Sequence, residues 1–192
     1  MNRAIYATDG IYFLSPFEEE DRNIFIDLQK KIGGKLTAYE KYYEDSWWYY
    51  KLHGKTNSYF IISTEEVYCG YIELIKYAED TPEIGIELTR EKRNQGIAKR
   101  AVNMLIKRVC KERDIPYFII QIKEDNTHSR HVFEKMGAEL ERVERTDYEE
   151  LVKACKTEKG RELAESFFGA EIPIYRYLLK PDREHIVDDS KK

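Results

Sequence analysis

A chain of 192 residues with 42% hydrophobic and 13% aromatic side chains reads as one globular domain with a sizeable core. Its formal net charge of −4 argues against a nucleic-acid surface. No apolar run nears the roughly 20 residues that span a bilayer. No membrane or nucleic-acid partner is therefore expected. Met1-Asn2-Arg3-Ala4 lacks the apolar block of a signal peptide, so the expected location is cytoplasmic. Three widely spaced cysteines, Cys69, Cys110 and Cys155, suggest neither a disulfide framework nor a metal site.

Along the chain, Ile11–Leu14 predicts a short strand, and Ser15-Pro16 leads into a helix from about Glu19 to Lys30. Thr37 to about His53 predicts a second helix, dense in aromatics: Tyr39, Tyr42, Tyr43, Trp47, Trp48, Tyr49 and Tyr50. Tyr59–Ser63 and Val67–Tyr77 predict a hairpin turned at Thr64-Glu65-Glu66, and Glu83–Thr89 a further strand. Ile97, Ala98, Ala101, Val102, Leu105, Ile106 and Val109 recur at helical period, and Cys110 continues that face into the core. Pro116 ends the helix. Tyr117–Lys123 is a solid apolar strand, expected to be central and covered on both faces. Asn126 to Met136 predicts a short helix stopped by Gly137. Ala138–Arg145 predicts a strand, Tyr148–Phe167 a helix and Ile172–Leu179 a last strand. The class is α+β: one mixed central sheet of about six to seven strands with flanking helices. Residues 1–180 are expected to form a single domain, with a charged tail over 181–192.

Between the strand Glu83–Leu88 and the helix from Ile97 lies Arg93-Asn94-Gln95-Gly96-Ile97-Ala98. A strand feeding a helix through a short turn leaves N–H groups without intrahelical partners. With the positive end of the helix dipole they make an anion site. Gly96 would let a phosphate approach without meeting a Cβ, and Arg93 could add a guanidinium fork. Charge agrees with this. Residues 90–113 hold 9 basic and 2 acidic side chains, net +7, inside an otherwise acidic chain. Arg90, Lys92, Arg93, Lys99 and Arg100 crowd the turn. One glycine is too few for a dinucleotide fingerprint, and Ile97 stands where a nucleoside triphosphate loop needs Lys.

The stretch Arg93–Ala98 resembles the Arg/Gln-x-x-Gly-x-Gly/Ala pyrophosphate loop of the GNAT acyltransferases, the acetyl-CoA-dependent N-acetyltransferases. A second block, Asn126-Thr127-His128-Ser129-Arg130-His131-Val132-Phe133-Glu134-Lys135-Met136-Gly137-Ala138, resembles the helix and turn after that superfamily's fifth strand. It is nearest in motif to the branch with ribosomal-protein N-terminal acetyltransferases. Read from its residues alone, the block is a helix capped by Asn126, with Ser129, Val132, Phe133 and Met136 as its buried stripe.

The resemblance implies the GNAT fold, with strands four and five splayed apart to admit a thioester. It implies acetyl-CoA as co-substrate, no metal, and transfer to a primary amine by direct attack in a ternary complex. The acceptor would be a small molecule or a peptide N-terminus. Backbone groups of Ile86 and Leu88 would pair with the pantetheine arm, one nearby N–H polarising the acetyl carbonyl. Arg93, Gln95, Gly96, Ile97, Ala98 and Lys99 would hold the pyrophosphate. Asn126, Phe133 and Lys135 would complete the cofactor side. A monomer or homodimer is expected. The competing reading is a non-catalytic acyl-CoA-binding domain, because many relatives carry a Tyr where Phe133 stands.

An ammonium has no lone pair, so the chemistry needs a base. Glu83 and Glu87 share one face of their strand and are the candidates, with Glu73 a third. The acid is open among His128, His131, Tyr175, Tyr177 and unassisted thiolate release. Aromatics interleaved with Glu40, Glu44 and Asp45 suit a cationic amine, or else simply pack the core.

Overall fold

The computed structural model describes residues 3–33, 44–144, 157–158 and 173–183. The first half of the predicted second helix (with Tyr39, Tyr42 and Tyr43), the Tyr148–Phe167 helix, Cys155 and residues 184–192 lie outside the described residues, as do the side chains of 44–47. The chain divides into two compact units, Met1–Phe118 with Lys180–Lys192, and Ile119–Leu179.

The first unit holds five strands in sequence order: β1 (Ala7–Thr8), β2 (Tyr12–Pro16), β3 (Thr56–Ser63), β4 (Tyr68–Ile75) and β5 (Glu83–Leu88). Each is antiparallel to the next. Two helices serve one face, α1 (Arg22–Gly33) and α2 (Glu44–His53). Phe25, Leu28, Gln29 and Ile32 recur at three- and four-residue spacing, so α1 turns one stripe inward. Phe25 and Trp48 meet Phe17, Phe60 and Tyr71 in a mostly aromatic core. Phe60 and Tyr71 are register partners, so they share a face of the sheet. Tyr59, one residue away, points to the other face, where it stacks on Tyr6. Helix α3 (Ile97–Glu112) covers that side, with Arg108 over the Tyr6 ring.

Pairing at the sheet edge reaches further than periodicity indicates. Ser15 and Pro16 belong to β2, because they register with Phe60 and Tyr59. The expected helix from Glu19 begins as a 3-10 turn, Glu19–Asp21. There Asp21 accepts both terminal guanidinium nitrogens of Arg3 at 2.6 Å, as well as the Glu18 N–H. Within a folded unit that bidentate pair outranks helix propensity.

The second unit contains β6 (Phe118–Lys123, whose first residue closes the first unit), α4 (Thr127–Lys135), β7 (Glu139–Glu144) and β8 (Ile174–Leu179), with strand order β6-β8-β7. Strand β6 departs from its expected double cover. Phe118, Ile120 and Ile122 are buried, but the other face is buried only at Ile119, with Gln121 and Lys123 exposed. Asn126 caps α4 by accepting the Ser129 N–H at 3.1 Å, and Gly137 follows the helix at φ +89°. Of the predicted stripe only Phe133 is fully buried; Ser129, Val132 and Met136 are half-buried. The fold is therefore α+β with eight strands among the described residues, one or two more than expected. Cys110, expected in the core, is half-buried.

Candidate active site

Strand β5 ends at Leu88, and a 3-10 turn over Arg90–Lys92 carries the chain toward α3. Asn94 and Gly96 both take positive φ, +61° and +74°. Gly96 is the N-cap residue of α3 in left-handed geometry, and no side chain caps the helix. The leading N–H groups of Ile97, Ala98 and Lys99 thus face outward with the positive end of the dipole behind them. A Cβ added at Gly96 would meet nothing within 4 Å, so the space before the turn is open. That cradle fits a phosphate.

Side chains in the turn do something else. Gln95 Nε2 donates to the Glu91 carbonyl at 2.6 Å. The expected phosphate fork of Arg93 is turned on the protein's own carbonyls: Nε donates to Leu88 O at 3.2 Å and Nη2 to Ile32 O at 2.9 Å. Lys99 is exposed. The turn therefore offers backbone groups first and charge second.

On the α1–α2 face, Tyr71 is opposite Glu87, Glu73 opposite Gly85, and Ile75 opposite Glu83. Glu73 is only 5% exposed and is saturated: Oε2 lies 2.5 Å from Lys51 Nζ, and Oε1 accepts from Ser58 Oγ at 3.0 Å. Lys51 also sits over the Tyr71 ring, 5.3 Å from its centre. Desolvating two charges is offset only by such close pairing. Glu87 is exposed, and Oε1 accepts from the Tyr71 hydroxyl at 2.7 Å. Burial, then the neighbouring Glu87 and Glu73 charges, push the Tyr71 phenol well above its usual value, so it stays a donor. Glu83 is half-buried at the start of β5, and Ile86 and Leu88 are half-buried.

Sequence reasoning missed Lys51, Ser58 and Tyr71. The available signal was Glu73 standing at an inward strand position between Tyr71 and Ile75, where a carboxylate demands a partner.

In the second unit, Phe133 is 4% exposed, while Lys135, His128 and His131 are exposed. Asn126 Oδ1 is used as the helix cap, which leaves its amide hydrogens as donors. Tyr177 is buried, its hydroxyl donating to Glu134 Oε1 at 2.8 Å and accepting from Arg130 Nε. Burial and the Glu134 bond push its phenol up. Tyr175 lies under the Arg130 guanidinium, 4.1 Å from ring centre to carbon, and donates to Glu124. Burial raises the thiols of Cys69 and Cys110, which argues against reactive cysteines. Among the described residues no group of three or more His, Cys, Asp or Glu could hold a metal ion.

Residues 13–139 match the family described as the acetyltransferase (GNAT) domain. The chain belongs to this family and is an N-acetyltransferase. GNAT acetyltransferases use acetyl-CoA as co-substrate. No curated protein sequence matches the chain. Among solved structures, a chimera of the Vibrio cholerae spermidine N-acetyltransferase SpeG and hSSAT is similar at TM-score 0.64 and 16% identity, over 90% of this chain and 96% of that one. A point mutant of the Vibrio cholerae SpeG gives TM-score 0.66 and 14% identity, over 95% and 100%. A dodecameric structure of the Vibrio cholerae spermidine N-acetyltransferase gives 0.63 and 14%, over 92% and 97%. At such identity the likeness is one of fold. The nearer resemblance of the Asn126 block to the ribosomal-protein branch finds no support in these matches.

Proposed function

We propose that this protein transfers the acetyl group of acetyl-CoA to a primary amine by direct attack in a ternary complex. The observation that carries the donor half is the uncapped start of α3 behind Gly96 at φ +74°, open to a phosphate. Backbone N–H groups from Gln95 to Lys99 would hold the pyrophosphate, and Ile86 and Leu88 the pantetheine arm. The family resemblance extends the proposed cofactor residues to Asn126, Phe133 and Lys135. Residues 1–180 act on this reading as one N-acetyltransferase domain.

For the base, geometry favours Glu87 over the other carboxylates. Glu73 is bound on both oxygens, whereas Glu87 is exposed and has one oxygen held by Tyr71. Held in this way, the Glu87 carboxylate accepts the amine proton directly or through a water while the nitrogen attacks. Glu83 remains the alternative at the other end of β5.

A polyamine is the acceptor class we favour over a peptide N-terminus. Support comes from side-chain types that suit an extended cation: exposed Tyr49 and Tyr50 on α2 and, separately, exposed Glu87 on β5. The similar folds named as spermidine acetyltransferases point the same way. The protein is read as cytoplasmic, and no helix among the described residues is long and apolar enough to cross a membrane. A monomer or homodimer is our reading of its assembly; sedimentation velocity decides between that and a larger oligomer.

The deciding experiment measures thiol release from acetyl-CoA with spermidine, spermine, an aminoglycoside, free amino acids and short peptides. Turnover on a polyamine is expected. Calorimetric binding of acetyl-CoA without thiol release on any amine would instead establish the non-catalytic alternative.

A further inference from the structure

Arg90 and Arg93 stand on either side of Glu91 and Lys92 in the turn, and both reach the last turn of α1. Arg90 Nη2 donates to Gly33 O at 2.8 Å, and Arg93 Nη2 to Ile32 O at 2.9 Å. These are the carbonyls of the final two residues of α1. Helix ends carry orphan carbonyls and partial negative charge, which guanidinium groups complement. The nearer cations, Lys30 and Lys31, are on the helix itself, and Lys30 is paired with Asp27. Donors separated by 57 and 61 positions in the chain thus do the capping. Through Nε, Arg93 also holds the Leu88 carbonyl at the end of β5. One guanidinium therefore joins the strand, the turn and α1.

Helix α1 continues that path. Its Phe25 packs edge-on against Tyr71, with ring centres 5.7 Å apart, and Tyr71 is bonded to Glu87. We infer that Arg90 and Arg93 are positioning residues that tie the phosphate turn to α1, so that filling the turn orders the helix beside the proposed base. A phosphate held by the N–H groups after Gly96 would restrict the backbone that carries Arg93, so that part of the ordering entropy of the last turn of α1 would already be spent. This rests on the donor-site reading above.

Hydrogen exchange of the full chain, with and without saturating coenzyme A, reads the link directly. Exchange in the last turn of α1 is expected to slow roughly tenfold in the native protein, within the usual range of inter-site coupling. In Arg90→Met and in Arg93→Met, each with coenzyme A raised until calorimetry shows a full site, that slowing is expected to disappear. Slowing that persists in both variants overturns the inference. Binding by the native protein with no change in α1 also overturns it, while leaving the donor site standing. Absence of any coenzyme A binding by the native protein overturns both.

Discussion

The proposed phosphate turn and the carboxylate face both depend on β5, yet they are built differently. At the turn, backbone N–H groups face outward, and Gln95 and Arg93 fold back onto carbonyls. On the face, the proposed base is a side chain, Glu87 held by Tyr71, beside the buried pair of Glu73 and Lys51. A site made of backbone depends on conformation, so it tolerates most side-chain changes except at the residue that sets φ. A site made of side chains depends on identity and on each partner's burial.

The largest expected effect tests the first half of that contrast. Gly96→Glu should bring coenzyme A binding below calorimetric detection, because a carboxylate would occupy the open space before the turn. Circular dichroism should stay native, with a stability loss of only about 1–2 kcal/mol for a non-glycine residue at positive φ. Unchanged affinity would remove the phosphate assignment. On the face, Glu87→Gln should lower kcat by roughly 10²- to 10⁴-fold, the usual contribution of a general base, with coenzyme A affinity unchanged. Full activity in that variant would transfer the role to Glu83.

Lys51→Met should cost about 3–5 kcal/mol in chemical denaturation, because Glu73 would be left charged and buried. Adding Glu73→Gln should recover much of that loss; strict additivity would mean that the two side chains are uncoupled. Tyr71→Phe keeps the ring and removes one bond to a charged group, roughly 1.5–3 kcal/mol. It should reduce kcat more than tenfold while leaving the fold intact, and an unchanged kcat would reduce Tyr71 to packing.

The smallest effect lies beside the turn, at Asp9. Burial pushes its carboxyl up, but bonds from Arg100 and from the N–H groups of Tyr12 and Ile11 outweigh it and hold the group below its usual range. Its contribution is therefore complete above about pH 4, the unfolded value, and is lost as pH falls through the lower folded value. Asp9→Asn should be slightly less stable at pH 7, by a difference that shrinks as pH falls below about 4. A difference that does not change with pH would contradict the Arg100 link.

Local patterning accounts for what was legible. Ile97 to Val109 is a strong 3.6-residue stripe, and α3 occupies it with three further residues. The Thr64–Glu66 turn marks a hairpin because a short apolar run stands on either side of it, which is local information. Beyond such runs the sequence is blind. Asn126 was legible as a cap because capping acts over three residues. That Ser15 and Pro16 extend β2 was not, since only the presence of β3 makes that pairing possible.

By itself, then, the sequence determined the turn that can take a phosphate, the helix behind it and the family to which both belong. These features are local, set by one glycine, a helical stripe and a few adjacent charges. Tertiary structure alone decided that Glu73 is locked by Lys51 and Ser58, that Tyr71 holds Glu87, and that Arg93 grips α1. Each joins residues 15 to 61 positions apart, and burial decides which charge is paired and which is free.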